Sequence, residues 1–308
     1  MNTKELALKI NEKNTMVSGH RTCAGCPIAI ICRTVTSASD IPVVCSSATS
    51  CAEVTTTIYP QTSWNIPWIH SVFANSAATI SGIETAYKAQ KKKRKIKKDI
   101  NFLVIAGDGG SFDIGLQALS GALERGHDFV FLCYDNEGYQ NTGAQRSSAT
   151  PKGAATTTTP SGSNSYGKLE FSKDLVKIAA AHNIPYVAQA NTHNLIDLYN
   201  KAQKAFAKKG PAVIVVFAAC PTNMKAPSEQ TIAISKLATE SNFWPLYEID
   251  EGKLTINYKP EKRIPIEEFL KTQTKFKEVL KPKNKEVLKS IQEEVDRRYN
   301  ELLKLEKL

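Results

Sequence analysis

No run in this sequence approaches the ~18 consecutive apolar residues of a membrane-spanning helix. Its opening segment, Met1 to Asn14, is charged and lacks the apolar centre of a secretory signal. There is no internal repeat, and no motif of a nucleic-acid-binding module. The chain therefore reads as a cytoplasmic protein with neither membrane nor nucleic acid among its partners. Its 308 residues, 42% hydrophobic and 23% charged, suit one globular unit, or one such unit with a sizeable appendage.

Acidic residues fall short of basic ones, 30 against 40, which leaves a net charge of +10. Much of the excess sits in Lys91–Lys98 (KKKRKIKK) and in the lysine-rich C-terminal region. Without a nucleic-acid motif beside it, such a run reads first as a solvated loop and helix face. An acidic electron carrier is the partner it would otherwise suit. The cysteines are few and odd in number: Cys23, Cys26, Cys32, Cys45, Cys51, Cys133 and Cys220. In a reducing compartment, cysteines spaced this way point to metal or catalysis before disulfides.

What is present in the middle of the chain is alternation. Asn101–Ala106 (NFLVIA), Phe129–Tyr134 (FVFLCY), Ile184–Ala190 and Ala212–Ala218 (AVIVVFA) are short apolar runs of strand length. Between them, Phe112–Arg125, Ser172–His182 and about His193 to Lys209 space their apolar residues as helices do. Strands alternating with helices predict βαβ units, a parallel sheet and an α/β fold. Glu137–Lys168 is a long stretch rich in Gly, Ser, Thr and Ala. Its first part follows a strand end and reads as functional, while Thr156–Thr159 reads as a mobile tip. Thr222–Pro265 reads as an irregular extension, followed by a helix from about Pro282 to Leu305. Residues 1–223 are thus expected to form the main domain and 224–308 a C-terminal extension.

The first of those strands runs into Gly107-Asp108-Gly109-Gly110-Ser111, at the carboxyl edge where α/β sheets place ligands. Glycines let backbone approach a phosphate, and a helix N-terminus adds oriented N–H groups. Asp108 adds a carboxylate for a divalent cation. The second strand ends in Asp135-Asn136-Glu137, so Asp108 and Asn136 are expected at the same sheet edge. A carboxylate, an amide oxygen and a nearby carbonyl, with diphosphate oxygens and water, would complete the oxygen shell that Mg²⁺ requires.

Cys23-Ala-Gly-Cys26 is a short hook, joined by the isolated Cys51 and by Cys220 just beyond the fourth strand. Zinc sites usually pair two such hooks. One hook with two separate cysteines is commoner for iron–sulfur clusters. On spacing alone, a cluster, a zinc site and a redox or incidental role all stay open.

Five segments resemble the β subunit of pyruvate:ferredoxin oxidoreductase and its 2-oxoacid relatives: GHRTCAGC (Gly19–Cys26), Thr49–Ala89, Gly107–Phe129, YDNEGYQNTGAQRSSATPKGA (Tyr134–Ala154) and ACPTN (Ala219–Asn223). They cover nearly the whole chain in order. The resemblance implies the diphosphate-binding type of thiamine-diphosphate fold and oxidative decarboxylation of a 2-oxoacid with CoA. It also implies three cofactors: thiamine diphosphate, Mg²⁺ and a [4Fe–4S] cluster. Carried over by residue, the cluster ligands are Cys23, Cys26, Cys51 and Cys220. Mg²⁺ falls to Asp108, the Asn136 side chain and the Gly138 carbonyl. Gly109, Gly110 and Ser111 line the diphosphate, and Asn141 lies close to the reactive ring and is the candidate catalytic residue. Pro27, where many relatives have Gly, and Ser50, before Cys51, depart from the pattern without removing a ligand.

Cys32, Cys45 and Cys133 read as packing residues. His20 and His70 fall in family-like segments and are expected to be structural. By resemblance, the extension from Met224 (with WPLYEIDEGKLTI) suits the pyruvate type, with branched-chain 2-oxoacids or oxalate next. A non-redox thiamine-diphosphate lyase subunit, a zinc-stabilised binding module and a plain electron carrier remain the other readings. The sequence holds neither a second α/β unit nor a CxxCxxC cluster motif. The resemblance accordingly implies an α-type subunit with the pyrimidine-binding glutamate and substrate arginine, γ-type and ferredoxin-like δ-type subunits, and ferredoxin. An apolar face around Trp64, Ile66, Trp68 and Ile69 is the expected partner surface.

Overall fold

A computed structural model describes residues 1–307. Helices α1 (Thr3–Lys13) and α2 (Ile28–Ser37) precede strand β1 (Val43–Ala48). Next come α3 (Cys51–Thr56), β2 (Trp68–Ser71), α4 (Ser76–Lys92) and β3 (Asn101–Gly107). A π-helical turn, Gly109–Asp113, leads into α5 (Leu116–Glu124) and β4 (Val130–Asp135). A long loop carries the hairpin β5 (Ser161–Gly162) and β6 (Ser165–Tyr166). It is followed by α6 (Leu175–Ala180), β7 (Tyr186–Asn191), α7 (Leu195–Ala207), β8 (Ala212–Phe217) and the short α8 (Pro221–Met224). The chain ends with α9 (Thr231–Glu240), β9 (Leu246–Asp250), β10 (Lys253–Tyr258), α10 (Ile266–Lys271) and α11 (Lys285–Leu305).

Eight strands form one sheet in the order β10-β9-β7-β8-β4-β3-β1-β2. The six from β7 to β2 pair in parallel, and β9 and β10 extend the edge antiparallel. The central strands are apolar throughout because both sheet faces are covered. In β3, Phe102, Val104 and Ala106 pack on one face, and Leu103 and Ile105 on the other. Helices α1, α2 and α7 cover the second face, while α4, α5, α6, α10 and α11 cover the first. Cys133 lies in the first core and Cys32 and Cys45 in the second, all fully buried. Among the described residues no helix is long and apolar enough to cross a membrane.

Several sequence expectations change here. The stretch read as irregular, Thr222–Pro265, holds α9, β9 and β10, and its Leu254 and Ile256 belong to the main core. The threonine tract is not a loose tip. Thr157 N–H donates to the Ala144 carbonyl (3.0 Å), and Thr158 Oγ1 accepts from Arg146 N–H (2.9 Å). Trp64 is core rather than surface: it is 7% exposed and its indole N–H donates to Thr56 Oγ1 (2.8 Å). Ile66 and Trp68 are half-buried against the same core, so of the four proposed face residues Ile69 alone is exposed. The basic run leaves the end of α4 and enters β3, which puts it at the amino edge of the sheet. A seven-residue strand, roughly 20 Å long at ~3.3 Å per residue, separates it from the carboxyl edge.

Candidate active site

Three chain segments converge at the carboxyl edge: Gly107–Asp113 after β3, Asp135–Thr142 after β4, and Cys220–Asn223 after β8. Asp108 is 1% exposed. One of its carboxylate oxygens accepts from Ser147 Oγ. The other stands 2.9 Å from the side-chain oxygen of Asn136, which is also 2.9 Å from the Gly138 carbonyl oxygen. Three acceptors thus face one another. Either the amide turns over and donates its N–H groups to both neighbours, or a cation sits among the oxygens. In an octahedral Mg²⁺ shell with ligands at ~2.1 Å, neighbouring oxygens lie about 3 Å apart, which matches this spacing. Burial pushes the Asp108 carboxyl up to about 7, against the pull of the Ser147 hydrogen bond, so a cation there offsets a real cost.

The π-helical turn shapes the floor beside it. A Cβ on Gly109 would drive into the ring of Tyr139, whose hydroxyl donates to Asp113 Oδ2 (3.0 Å). Gly109 and Gly110 line a cleft together with Thr49, Phe73, Asp108, Asn136, Gly138 and Asn141. Ser111 sits behind that lining, fully buried, with its hydroxyl donating to the Gly107 carbonyl (2.8 Å). Its part at a diphosphate would therefore be through backbone.

Cys23, Cys26, Cys51 and Cys220 all line a second cavity of about 160 Å³. Three local features place them. Gly25, in the left-handed region at φ 73, packs on the Ser228 backbone and lets the hook turn, while Thr231 Oγ1 donates to its carbonyl (2.8 Å). Cys51 begins α3. Cys220 caps α8, its sulfur accepting from Asn223 N–H (3.5 Å). Burial pushes Cys26 and Cys51 up to about 12 and also raises Cys220, so bound iron would be what favours their thiolates. Among the described residues no three His, Cys, Asp or Glu side chains are placed to hold a metal ion. The four cysteines line one space instead. Pro27 forms the N-cap of α2, and the Ser50 hydroxyl donates to the Ala48 carbonyl (2.9 Å); neither blocks that space.

The two cavities share a wall made by Cys51, Asn136, Gln140 and Asn141. The backbone N–H of Asn141 acts against the burial that raises the Cys51 thiol. The Asn136 carbonyl accepts from Gln140 Nε2 (2.7 Å) and Asn223 Nδ2 (3.5 Å), tying the two sites together. His20 pairs with Thr22 Oγ1 (2.9 Å) and His70 with Thr49 Oγ1 (2.6 Å); both stand outside the cavity linings. Sequence reasoning missed Ser147, Tyr139, Gln140 and Asp113. For Tyr139, Gln140 and Asp113 the available signal was position next to a strand-end motif; Ser147 had none.

With that geometry in place, comparison with known proteins is informative. Residues 45–216 match the family model of the thiamine pyrophosphate enzyme C-terminal TPP-binding domain. Pyruvate synthase subunit PorB of Thermotoga maritima is 46% identical, over 100% of this chain and 97% of the relative. The PorB subunit of Methanocaldococcus jannaschii is 48% identical, over 88% and 92%. Ketoisovalerate oxidoreductase subunit VorB of Pyrococcus abyssi is 42% identical, over 91% of each. A solved 2-oxoglutarate:ferredoxin oxidoreductase from Magnetococcus marinus shares the fold, with TM-score 0.58, 20% identity and 68% of each chain covered. The α/β fold is therefore the thiamine-diphosphate-binding one, and the chain belongs to the PorB-type β-subunit family of the pyruvate:ferredoxin oxidoreductases.

Proposed function

We propose that this chain carries thiamine diphosphate, Mg²⁺ and one [4Fe–4S] cluster in a cytoplasmic enzyme that converts pyruvate and CoA to acetyl-CoA and CO₂, reducing ferredoxin. The observation that carries this reading is the shared wall between an oxygen-lined cleft and a four-thiol cavity. When bound, the thiamine ring supplies an electron sink for loss of CO₂ and the cluster supplies single-electron acceptance. Asp108, Asn136 and the Gly138 carbonyl would hold Mg²⁺, Gly109, Gly110 and the Ser111 backbone the diphosphate, and Cys23, Cys26, Cys51 and Cys220 the iron. Asn141, exposed at the rim of both cavities, is the residue of this chain best placed to meet substrate.

In this reading residues 1–223 bear the cofactors and 224–308 form an extension that braces them. The other half of the thiamine site belongs to an α-type subunit, with γ-type and δ-type subunits carrying electrons onward. The 42%-identical VorB relative supports branched-chain 2-oxoacids as the second reading of the substrate. The test is an anaerobic assay of the assembled enzyme with CoA across pyruvate, 2-oxoisovalerate, 2-oxoglutarate and oxalate. Iron and sulfide content are measured alongside. The highest kcat/KM is expected for pyruvate, and no 2-oxoacid-dependent dye reduction would overturn the reading.

A further inference from the structure

Behind the loop that follows β4 lies an ion pair between residues 138 positions apart in sequence. Lys275 belongs to the 3₁₀ turn Thr274–Phe276, well inside the C-terminal segment. Its ammonium contacts Glu137 Oε2, and the two side chains are 3% and 2% exposed. Glu137 Oε1 has no hydrogen-bond partner among the described residues. Among the described residues Lys275 is thus the single cation paired with this buried carboxylate. The backbone of Glu137 is left-handed, at φ 65, a conformation that a residue with a side chain keeps only when its surroundings enforce it. Glu137 also stands between Asn136, whose side-chain oxygen faces Asp108, and Gly138, whose carbonyl faces that same amide. On the other side, the Lys275 carbonyl accepts from Ala155 N–H (2.9 Å), so the lysine is itself anchored.

We propose that Lys275 is a positioning residue for the metal-binding loop: by holding Glu137 it sets where Asn136 and Gly138 present their oxygens. The inference rests on the reading of that loop as the magnesium site. Removing the ammonium strands a desolvated carboxylate without its one counter-charge, and the side chain relieves this by swinging toward water. A swing turns the residues on either side of it and spreads the three oxygens. The C-terminal segment, which touches neither proposed cofactor site through this lysine, thereby governs metal affinity.

The test uses the assembled enzyme with all its subunits. Mg²⁺-dependent binding of thiamine diphosphate is measured by calorimetry for wild type, Lys275→Met, Lys275→Arg and Glu137→Gln, with cofactor-free melting temperatures alongside. Lys275→Met is expected to weaken binding about tenfold or more, the range in which supporting groups act on metal sites, with Arg restoring part of it. Lys275→Met with wild-type affinity overturns the inference, whatever its melting temperature. If Lys275→Met does not assemble, Glu137→Gln decides: weaker binding supports the role and unchanged binding overturns it. A wild-type enzyme that fails to bind the cofactor with Mg²⁺ would remove the functional reading itself, and this inference with it.

Discussion

The side-chain oxygen of Asn136 stands 2.9 Å from a carboxylate oxygen of Asp108, acceptor against acceptor. Asp108 is the only anion of the proposed three. Asp108→Ala should weaken Mg²⁺-dependent thiamine diphosphate binding by about 100-fold or more, near 3 kcal/mol. Asn136→Ala removes a neutral ligand and should cost about tenfold, in the ordinary range for one good polar contact. Titration calorimetry on the assembled enzyme decides it. An Asp108→Ala enzyme of unchanged affinity would sink the site.

Serine at Cys23, Cys26, Cys51 or Cys220 should each degrade the cluster, since a hydroxyl is a poor substitute for thiolate. Alanine at Cys32, Cys45 or Cys133 leaves a small cavity in a packed core, at about 1 kcal/mol each, and should leave the cluster intact. Iron and sulfide counts per chain separate the two groups. Full iron content in Cys220→Ser would refute the assignment.

Glu294 on α11 accepts from Arg297 and Arg298, whose guanidinium groups hold its carboxyl down at about 2. A carboxylate with a lowered folded-state pKa contributes stability that is fully present above its unfolded value. That stability is lost as pH falls from roughly 4.5 toward 2. Because Arg297 is more than half exposed, about 1 kcal/mol is the expected size. Wild type should therefore lose its advantage over Glu294→Gln across that window in denaturant titrations. Parallel curves for the two would contradict it.

The isolated chain, reconstituted with iron, sulfide, Mg²⁺ and thiamine diphosphate, should not reduce viologen with pyruvate and CoA. In the proposed reading it supplies the diphosphate surface, and the described residues form one eight-stranded α/β unit, which leaves the pyrimidine to another surface. Robust turnover by this chain alone would show that no partner is needed.

What was legible in the sequence was whatever depends on neighbours along the chain. β3, β4, β7 and β8 declare themselves because strands covered on both faces are apolar without interruption. β1 shows less plainly, since Ser46 and Ser47 interrupt its apolar run although both are buried. β10 has the period-two pattern of an edge strand, with Leu254 and Ile256 inward, but its polar partners disguised it. The strand-end motifs were legible as a pair: a Gly-Asp-Gly turn alone has other uses, and it is the second strand ending in Asp135-Asn136-Glu137 that singles Asp108 out. Ser147 and Lys275 were not legible. They reach Asp108 and Glu137 across 39 and 138 positions of sequence, and no local pattern records such a contact.

The wall of Cys51, Asn136, Gln140 and Asn141 has an evolutionary consequence. In the proposed reading, a substitution there that adapted the cleft to a new 2-oxoacid would also alter the surroundings of the cluster, because the same residues line both cavities. These four positions would then be constrained from both sides, and selection for a new substrate would find its variation elsewhere. The exposed rim and the surfaces supplied by other subunits are where relatives with different substrates should diverge, while the partition between the cofactors stays constant.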